Sequence, residues 1–587
     1  MRILGININH TSTAALLVDG QIMAAAPEER FVRRKLTREF PQKAIEYVLR
    51  SQGLDLEDID AITIPWNPAI NMDMFRRGFS HTYYRWAPEI LYAIPNNLFR
   101  MSPPPGHEYL HQEIVFAGKK KMSLYYVNHH MSHAALAYYL SGFNRAAVLS
   151  VDGFGERACV LWGRAAGNKI KGLQEQHFPH SLGSFYETVT EFLGFTPDSD
   201  EWKVMGMAAY GKASRYKAQF EKLVRFLPRG RMELDLSYFN HFNFDQPGLS
   251  NRKMEDLFGP KRGRDEDLTE RHFDIATGAQ WMFEKMLFHC LDHLHKTTQE
   301  SNLCFSGGSA MNCLANGQII GRSPFKRLSI SYAPDDAGLA IGSALYLYHD
   351  ILGHRKNPKI DRTSYLGPGY SNAEIEKALE RYGMDYRRSP DICEETVSHI
   401  EAGRVVAWYQ GRMEFGSRAL GNRSILADPR RADMKDIINM KVKYRETFRP
   451  FAPAVLAERA EEFFAIADGD QVDYMEKVYP IRKAKQALIP AVVHQDGTGR
   501  LQTVHRKDNP RYYDVIRAFG RRTGVPILIN TSFNIKGEPI VCTPEDAIRT
   551  FHTSGLDVLV MGDFIIEKKA HARAAREGVE RRHKVVA

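Results

Sequence analysis

Thiol chemistry has little to work with in this chain. Six cysteines, Cys159, Cys290, Cys304, Cys313, Cys393 and Cys542, are scattered through 587 residues with no CxxC pair among them. That spacing excludes a disulfide scaffold and a thiolate zinc site, and it suits a reducing compartment. Long apolar runs are missing as well: no segment reaches the roughly 18 consecutive apolar residues that a membrane helix needs. The opening MRILGININHTSTAALLVDG interrupts its apolar run with Asn7, Asn9 and His10, which makes poor signal-peptide material. A cytoplasmic protein without a membrane partner is expected. The glycine-rich turns match neither the P-loop spacing nor GxGxxG, and no internal repeat is evident.

What is present is ordinary folded composition, 43% hydrophobic and 25% charged. The length exceeds what one hydrophobic core supports, so more than one domain is expected. A formal net charge of +9 leaves nucleic acid, an anionic surface or anionic small substrates open. Its densest run, from Lys568 and Lys569 to Lys584, reads as a solubilising tail. Strands are predicted at Arg2 to Ile8, Ala14 to Val18, Gln21 to Ala26, Ala147 to Val151, Asn302 to Phe305 and Val405 to Tyr409. Helical spacing follows at Gln42 to Ser51, 276–296, Leu339 to Tyr348 and Asn372 to Tyr382. Strands feeding glycine-rich turns and then helices indicate an α/β fold. The polar stretch after His354 divides the chain into 1–355, a linker over 356–370, and 371–587.

Four constellations could carry chemistry. His129 and His133 lie one helical turn apart, and Asp152 and Asp336 each lie at the end of a predicted element beside glycine. Together they read either as a site for a divalent ion or as caps and core hydrogen bonds. The turns Ser306-Gly307-Gly308-Ser309 and Asp152-Gly153-Phe154-Gly155 let backbone amides approach phosphate, or are simple tight turns. Between 410 and 450, Arg412, Arg418, Arg423, Lys441, Lys443, Arg445 and Arg449 are interleaved with glycine and proline, a pattern suited to an anion pocket. Arg500 and Arg506 could add phosphate contacts. Finally, Asn530, Ser532 and Asn534 end a strand and could read a carbamoyl group, or form an Asx turn.

The motifs HTSTAALLVDG, VNHHMSHAA, VDGFGE, SGGSAMNC, PDDAGLAIG, GRMEFGSRALGNRSILADPR, VKYRETFRPFAP and LINTSFNIKGEPIVCTPEDA occur in this order over nearly the whole chain. In them the sequence resembles the carbamoyltransferases that include nodulation-factor and antibiotic O-carbamoyltransferases. The resemblance implies an actin-like ATPase (ASKHA) N-terminal domain similar to the universal threonylcarbamoyladenosine factor. It also implies a C-terminal α/β domain of threonylcarbamoyl-AMP-synthase type. The family's metal pattern maps onto His129, His133, Asp152 and Asp336, for Fe2+ or else Zn2+, Mn2+ or Co2+. Its catalytic histidine maps onto His10, which Thr11 follows where an aspartate is frequent. Arg418 and Lys443 are implied as catalytic. Gly307, Gly308, Asn312, Arg449, Arg500, Arg506, Asn530, Ser532 and Asn534 are implied as contacts for nucleotide and carbamoyl phosphate.

The expected reaction makes carbamoyladenylate from carbamoyl phosphate and ATP, with Mg2+ on the ATP, and transfers the carbamoyl group to a hydroxyl of a small molecule. Residues from Asn67 to His107, rich in aromatic side chains, are expected to line the acceptor pocket or to form an ordinary aromatic core. A homodimer is the default assembly. The alternatives are a threonylcarbamoyl-transferring enzyme acting on tRNA, against which no aromatic-interleaved basic groove stands out, and a nucleotide-binding protein without turnover.

Overall fold

The computed structural model describes residues 1–67, 109–116, 120–243, 246–356, 360–446, 448–468 and 470–568. The expected acceptor segment beyond Asn67 and the basic tail beyond Lys568 lie outside the described residues. Among the described residues three large sheets, of six, five and eight strands, organise the chain into a mixed α/β architecture, with two further two-stranded ribbons.

The first sheet starts as a meander because short β-branched and apolar runs are closed by tight turns such as Asp19-Gly20, both at positive φ. Its strand order is Gln21–Pro27, Thr13–Val18, Arg2–Asn7, Ala61–Ile64, Lys120–Val127, Tyr109–Phe116. Arg2–Asn7 pairs antiparallel with Thr13–Val18 and parallel with Ala61–Ile64. The second sheet repeats this plan: Lys169–His177, Ala158–Ala166 and Arg145–Val151 form the meander, and Asn302–Ser306 and Arg327–Ser329 continue in parallel. Each sheet therefore opens its first strand into a turn at the same topological place. The first turn carries His10, and the second carries Asp152 and Gly153.

Two helices connect the sheets. His129–Tyr139 is buried at every position, as is Leu339–Tyr346. Leu339–Tyr346 is apolar almost all round, as a helix packed between layers must be, whereas His129–Tyr139 also buries His129, His130, Ser132 and His133. Leu339–Tyr346 lies on the first sheet, His129–Tyr139 on the second, and the two lie on each other. Gly342 and Gly5 allow this, because a Cβ on Gly342 would stand 2.0 Å from the Ser132 carbonyl oxygen and one on Gly5 would stand 1.9 Å from that of Ala340. The helix predicted to run to Tyr348 ends at Tyr346 and widens into a π turn over Leu347–Ile351.

The third sheet has eight strands, with Val406–Tyr409, Arg423–Ala427, Ile527–Ser532 and Ala452–Leu456 adjacent in its middle. The stretch expected as a linker is held on both sides. The Leu366 carbonyl accepts from Ala25 N, and Gly367 N and Met413 N exchange bonds with Met413 O and Pro368 O. Ile360 and Leu366 are buried in the N-terminal core.

Candidate active site cleft

The end of the Arg145–Val151 strand delivers Asp152, the buried helix delivers His129 and His133, and the turn before Leu339 delivers Asp336. Their ligand atoms all lie within 4.8 Å of one another. His133 Nε2 is 2.8 Å from Asp152 Oδ2 and 3.2 Å from His129 Nε2, and it is 3.8 Å from Asp336 Oδ1. Two imidazole nitrogens and two carboxylates aimed at one point fit a divalent cation, which would resolve the repulsion between their lone pairs. Imidazole with carboxylate suits iron, zinc, manganese or cobalt. Burial disfavours a charged His129, but the hydrogen bond to Asp152 and the charges of Asp336, Asp152 and Glu156 outweigh it and raise its pKa to about 9.

His130 belongs elsewhere. Its Nδ1 meets Ser150 Oγ at 2.8 Å and its Nε2 meets the Ala158 carbonyl at 2.9 Å, which places it in the core. Sequence reading passed over Glu156, a buried carboxylate that accepts from His129 N at 3.0 Å, Asn67 N at 2.7 Å and Asn128 Nδ2 at 3.2 Å. It satisfies the exposed amide end of the helix that bears both histidines.

His10 joins this site through its backbone, whose N–H donates to Asp336 Oδ2 at 3.3 Å. Its Nδ1 faces Arg38 at 3.1 Å, so a guanidinium meets the ring. Gly308, Ser309 and Asn312 lie alongside, and a Cβ on Gly308 would crowd Asp152 Oδ1 at 2.9 Å. Gly307, at φ +90, passes under Val151 and shapes the turn without lining the cleft. Asn312 is tied by a two-way amide pair to Gln280, at 2.9 and 3.1 Å.

The second group of predicted residues lies on the third sheet and the loops beside it. Arg418, Arg445, Arg449, Arg500, Asn530, Ser532 and Asn534 line the cleft, and Lys435, His494 and Lys35 join them. Burial and the neighbouring Arg500 lower Arg418 to about 9, and burial lowers Arg449 to about 10. Arg445 is held well below the ordinary range by burial, Arg449 and Arg500. Cations crowded against one another in this way call for an anion. Arg449 also stacks on Trp202 with its guanidinium carbon 3.5 Å from the ring centroid. Asn530 donates to the Ala419 carbonyl and Gln502 Oε1, and its own Oδ1 is buried without a partner.

Several of the expected residues stand outside the cleft lining. Lys443 does not line the cleft. Its Nζ is held by Ser532 O at 2.6 Å, Asn534 Oδ1 at 2.8 Å, Asn534 O at 3.0 Å and Ser532 Oγ at 3.3 Å, so it fixes the two side chains from behind. Arg506 is 62% exposed beside Asp514, away from the cleft, whereas Arg500 lies in it. Arg412 and Arg423 lie outside the cleft lining and are engaged by backbone carbonyls: Arg412 donates to those of Met23, Gly367 and Leu366, and Arg423, fully buried over Tyr409, to those of Gln410, Gly411, Asn422 and Pro368.

Both groups open into one cleft of about 1510 Å³, lined by His10, His129, Asp152 and Asp336 and also by Arg418, Arg449 and Arg500. Lys35, Lys435, His494 and Trp202 were missed by sequence reading. They stand outside the quoted motifs, and only His494 gives a local hint, two residues ahead of DGTGR.

Two family models match the chain, one described as carbamoyltransferase N-terminus over residues 2–345 and the other as carbamoyltransferase C-terminus over 397–568. An uncharacterized protein, sll1178 of Synechocystis, is 38% identical, covering 98% of each chain. Nodulation protein NolNO of Sinorhizobium fredii is 37% identical over 95% of this chain and 79% of its own. Nodulation protein NolO of Bradyrhizobium diazoefficiens is 40% identical over 76% of this chain and 79% of its own.

Proposed function

The chain belongs to the carbamoyltransferase family and is a transferase of that kind, and from that premise we propose that it is an ATP-dependent O-carbamoyltransferase. Carbamoyl phosphate and ATP-Mg2+ are its donors, and a small-molecule hydroxyl is its acceptor. In this reading the N-terminal half, residues 1–355, takes the actin-like ATPase fold and the rest resembles a threonylcarbamoyl-AMP synthase. The observation that carries the proposal is the single cleft joining the cationic wall to the His129, His133, Asp152 and Asp336 cluster.

A carbamoyl group is a poor acyl donor because its nitrogen lone pair deactivates the carbonyl. It needs a better leaving group before a hydroxyl can take it. At the cationic end, water cleaves carbamoyl phosphate to carbamate and phosphate. A carbamate oxygen then attacks the α-phosphorus of ATP and pyrophosphate leaves, giving carbamoyladenylate. Arg418, Arg449 and Arg500 neutralise the phosphates as charge shifts along the in-line path. Asn530 Oδ1 accepts from the carbamoyl NH2, and Ser532 and Asn534 are held in place by Lys443.

The mixed anhydride then crosses the cleft without meeting bulk water. Gly308 and Asn312 hold the adenylate, and the acceptor hydroxyl attacks the carbonyl as AMP leaves. His10 takes the hydroxyl proton at Nδ1 once Arg38, exposed at the rim, releases that nitrogen. A divalent cation, Fe2+ first among the candidates, held by the two histidines and two aspartates would supply Lewis acidity toward the donor's oxygens.

The test separates the two ends. His133→Ala is expected to abolish transfer while keeping carbamoyl-phosphate-dependent ATP–pyrophosphate exchange, and Arg418→Ala to lose that exchange by about 100-fold or more. Loss of both activities in a folded His133→Ala variant would defeat this division of labour.

A further inference from the structure

One ring at the cationic end carries a lone pair that nothing uses. His494 lies in a tight turn in which His494 N donates to Thr498 O at 2.8 Å and Gly497, at φ +78, donates back to His494 O at 3.0 Å. Within that turn Thr498 Oγ1 donates its one hydrogen to Asp496 Oδ1 at 2.7 Å. It therefore meets His494 Nδ1, 3.1 Å away, as an acceptor. The proton of the neutral ring sits on Nδ1, and Nε2 keeps its lone pair. That Nε2 is buried and has no hydrogen-bond partner, and the residue lines the cleft with Lys435, Arg445 and Arg500. His130, in the core, spends both of its nitrogens, on Ser150 and Ala158.

We propose that His494 is a catalytic residue of the first half-reaction, its Nε2 accepting a proton from the water that attacks carbamoyl phosphate. The inference rests on the carbamoyl phosphate and ATP reading of this end of the cleft. The oxygen of water bonds to the carbonyl carbon, and one of its protons passes to Nε2. The bond from carbon to the phosphate oxygen breaks with its electron pair on phosphate, which recovers the proton from the imidazolium. The second proton of water leaves the carbamic acid for solvent, and carbamate remains as the nucleophile for ATP. Burial, Arg500 and Lys435, against Asp496, hold the ring at about 4, so it is neutral before substrate arrives. A bound phosphate dianion offsets those cations and strengthens the base when it is needed. Asp496, Thr498 and His494 thus act as a relay that fixes the tautomer, in the way an acid orients a catalytic histidine elsewhere.

The experiment uses the full chain and bypasses the step in question. Ammonium bicarbonate solutions contain carbamate at equilibrium, so they supply the nucleophile without hydrolysis of carbamoyl phosphate. His494→Gln is expected to lower carbamoyl-phosphate-dependent pyrophosphate release by about 100-fold, yet to leave release supported by ammonium bicarbonate within about 3-fold of the parent. Thr498→Val, which removes the partner of Nδ1, is expected to lose about 10-fold in the first assay only. An equal fall in both assays for both variants, with unchanged thermal unfolding, would assign His494 to maintenance of the pocket and overturn the proposal. A parent enzyme that leaves carbamoyl phosphate intact while adenylating carbamate would refute the donor reading itself, and this inference with it.

Discussion

An ammonium group has three hydrogens to give, and Lys443 Nζ has four oxygens of Ser532 and Asn534 around it. Burial, with Arg445, Lys35 and Arg449 nearby, pushes its pKa well down, and hydrogen bonds to oxygens oppose that shift by favouring the ammonium form. The same contrast separates Arg418 from Arg412 and Arg423: identical side chains within one motif divide between cleft and scaffold according to which carbonyls surround them. Residue type was readable in the sequence here, and residue use was not, because the carbonyls around Arg412, and one of those around Arg423, come from Met23, Leu366, Gly367 and Pro368, far away in the chain. Glu201 is a third case, a cleft carboxyl that burial and then the charges of Asp198 and Asp200 raise from 4.5 to about 7, against opposing backbone hydrogen bonds. The folded protein keeps a proton there that the unfolded chain gives up. Stability therefore falls as pH rises from 4.5 towards 7, and the penalty is complete above that. Glu201→Gln is expected to stabilise the ligand-free protein by roughly 2 kcal/mol at pH 8 and by almost nothing at pH 4. Thermal unfolding at the two pH values checks it, and an equal gain at both would mean that the carboxyl's pKa does not change on folding.

The metal-type cluster depends on two helices holding one spacing. His129 and His133 ride on His129–Tyr139, Asp336 precedes Leu339–Tyr346, and the helices touch where Gly342 meets the Ser132 carbonyl. Gly342→Ala places a methyl 2.0 Å from that oxygen, so the helices must part. The expected cost is about 2–3 kcal/mol of stability, with at least about a tenfold loss of divalent-ion affinity in a chelator competition. Undiminished affinity in the destabilised variant would show that the cluster tolerates the shift. These elements were largely legible: hairpin turns, the i,i+4 histidines and the strand ends before Asp152 and at Ser532 all carry periodic or turn signals. The segment 360–370 was not, because an extended strip without alternation takes its meaning from partners such as Ala25, Met413 and Phe415. The end of the second buried helix was misread for a related reason: its apolar pattern continues to Tyr348 while the backbone hydrogen bonds have already shifted to the π spacing.

At the scale of the whole molecule the two halves interlock. Val478 N donates to the Cys313 carbonyl, Asn316 Nδ2 to that of Glu476, and Arg30 to that of Gly416. Gly317 is needed because a Cβ there would lie 2.0 Å from Val478 O. None of these pairings announces itself along the chain, since only Cys313 and Gly416 among their residues fall within the ordered motifs. The cleft exists only while the seam is shut, since its walls come from both halves. Arg33 is a clasp on that seam, donating to the carbonyls of Ile540 at 2.7 Å and Pro539 at 2.8 Å and lying 3.4 Å from Asp546. Pro539 and Ile540 themselves line the cleft. Loosening the clasp should admit water to the path of the mixed anhydride without touching the groups that make or use it. Arg33→Met is therefore expected to keep carbamoyl-phosphate-dependent adenylation within about 3-fold of the parent while raising the pyrophosphate released per carbamoylated product from near one to several, as carbamoyladenylate is lost to hydrolysis. Quantifying both products in the same reaction measures that ratio. A folded variant in which transfer slows while the ratio stays near one would mean that the seam positions the halves but is not what keeps water from the intermediate.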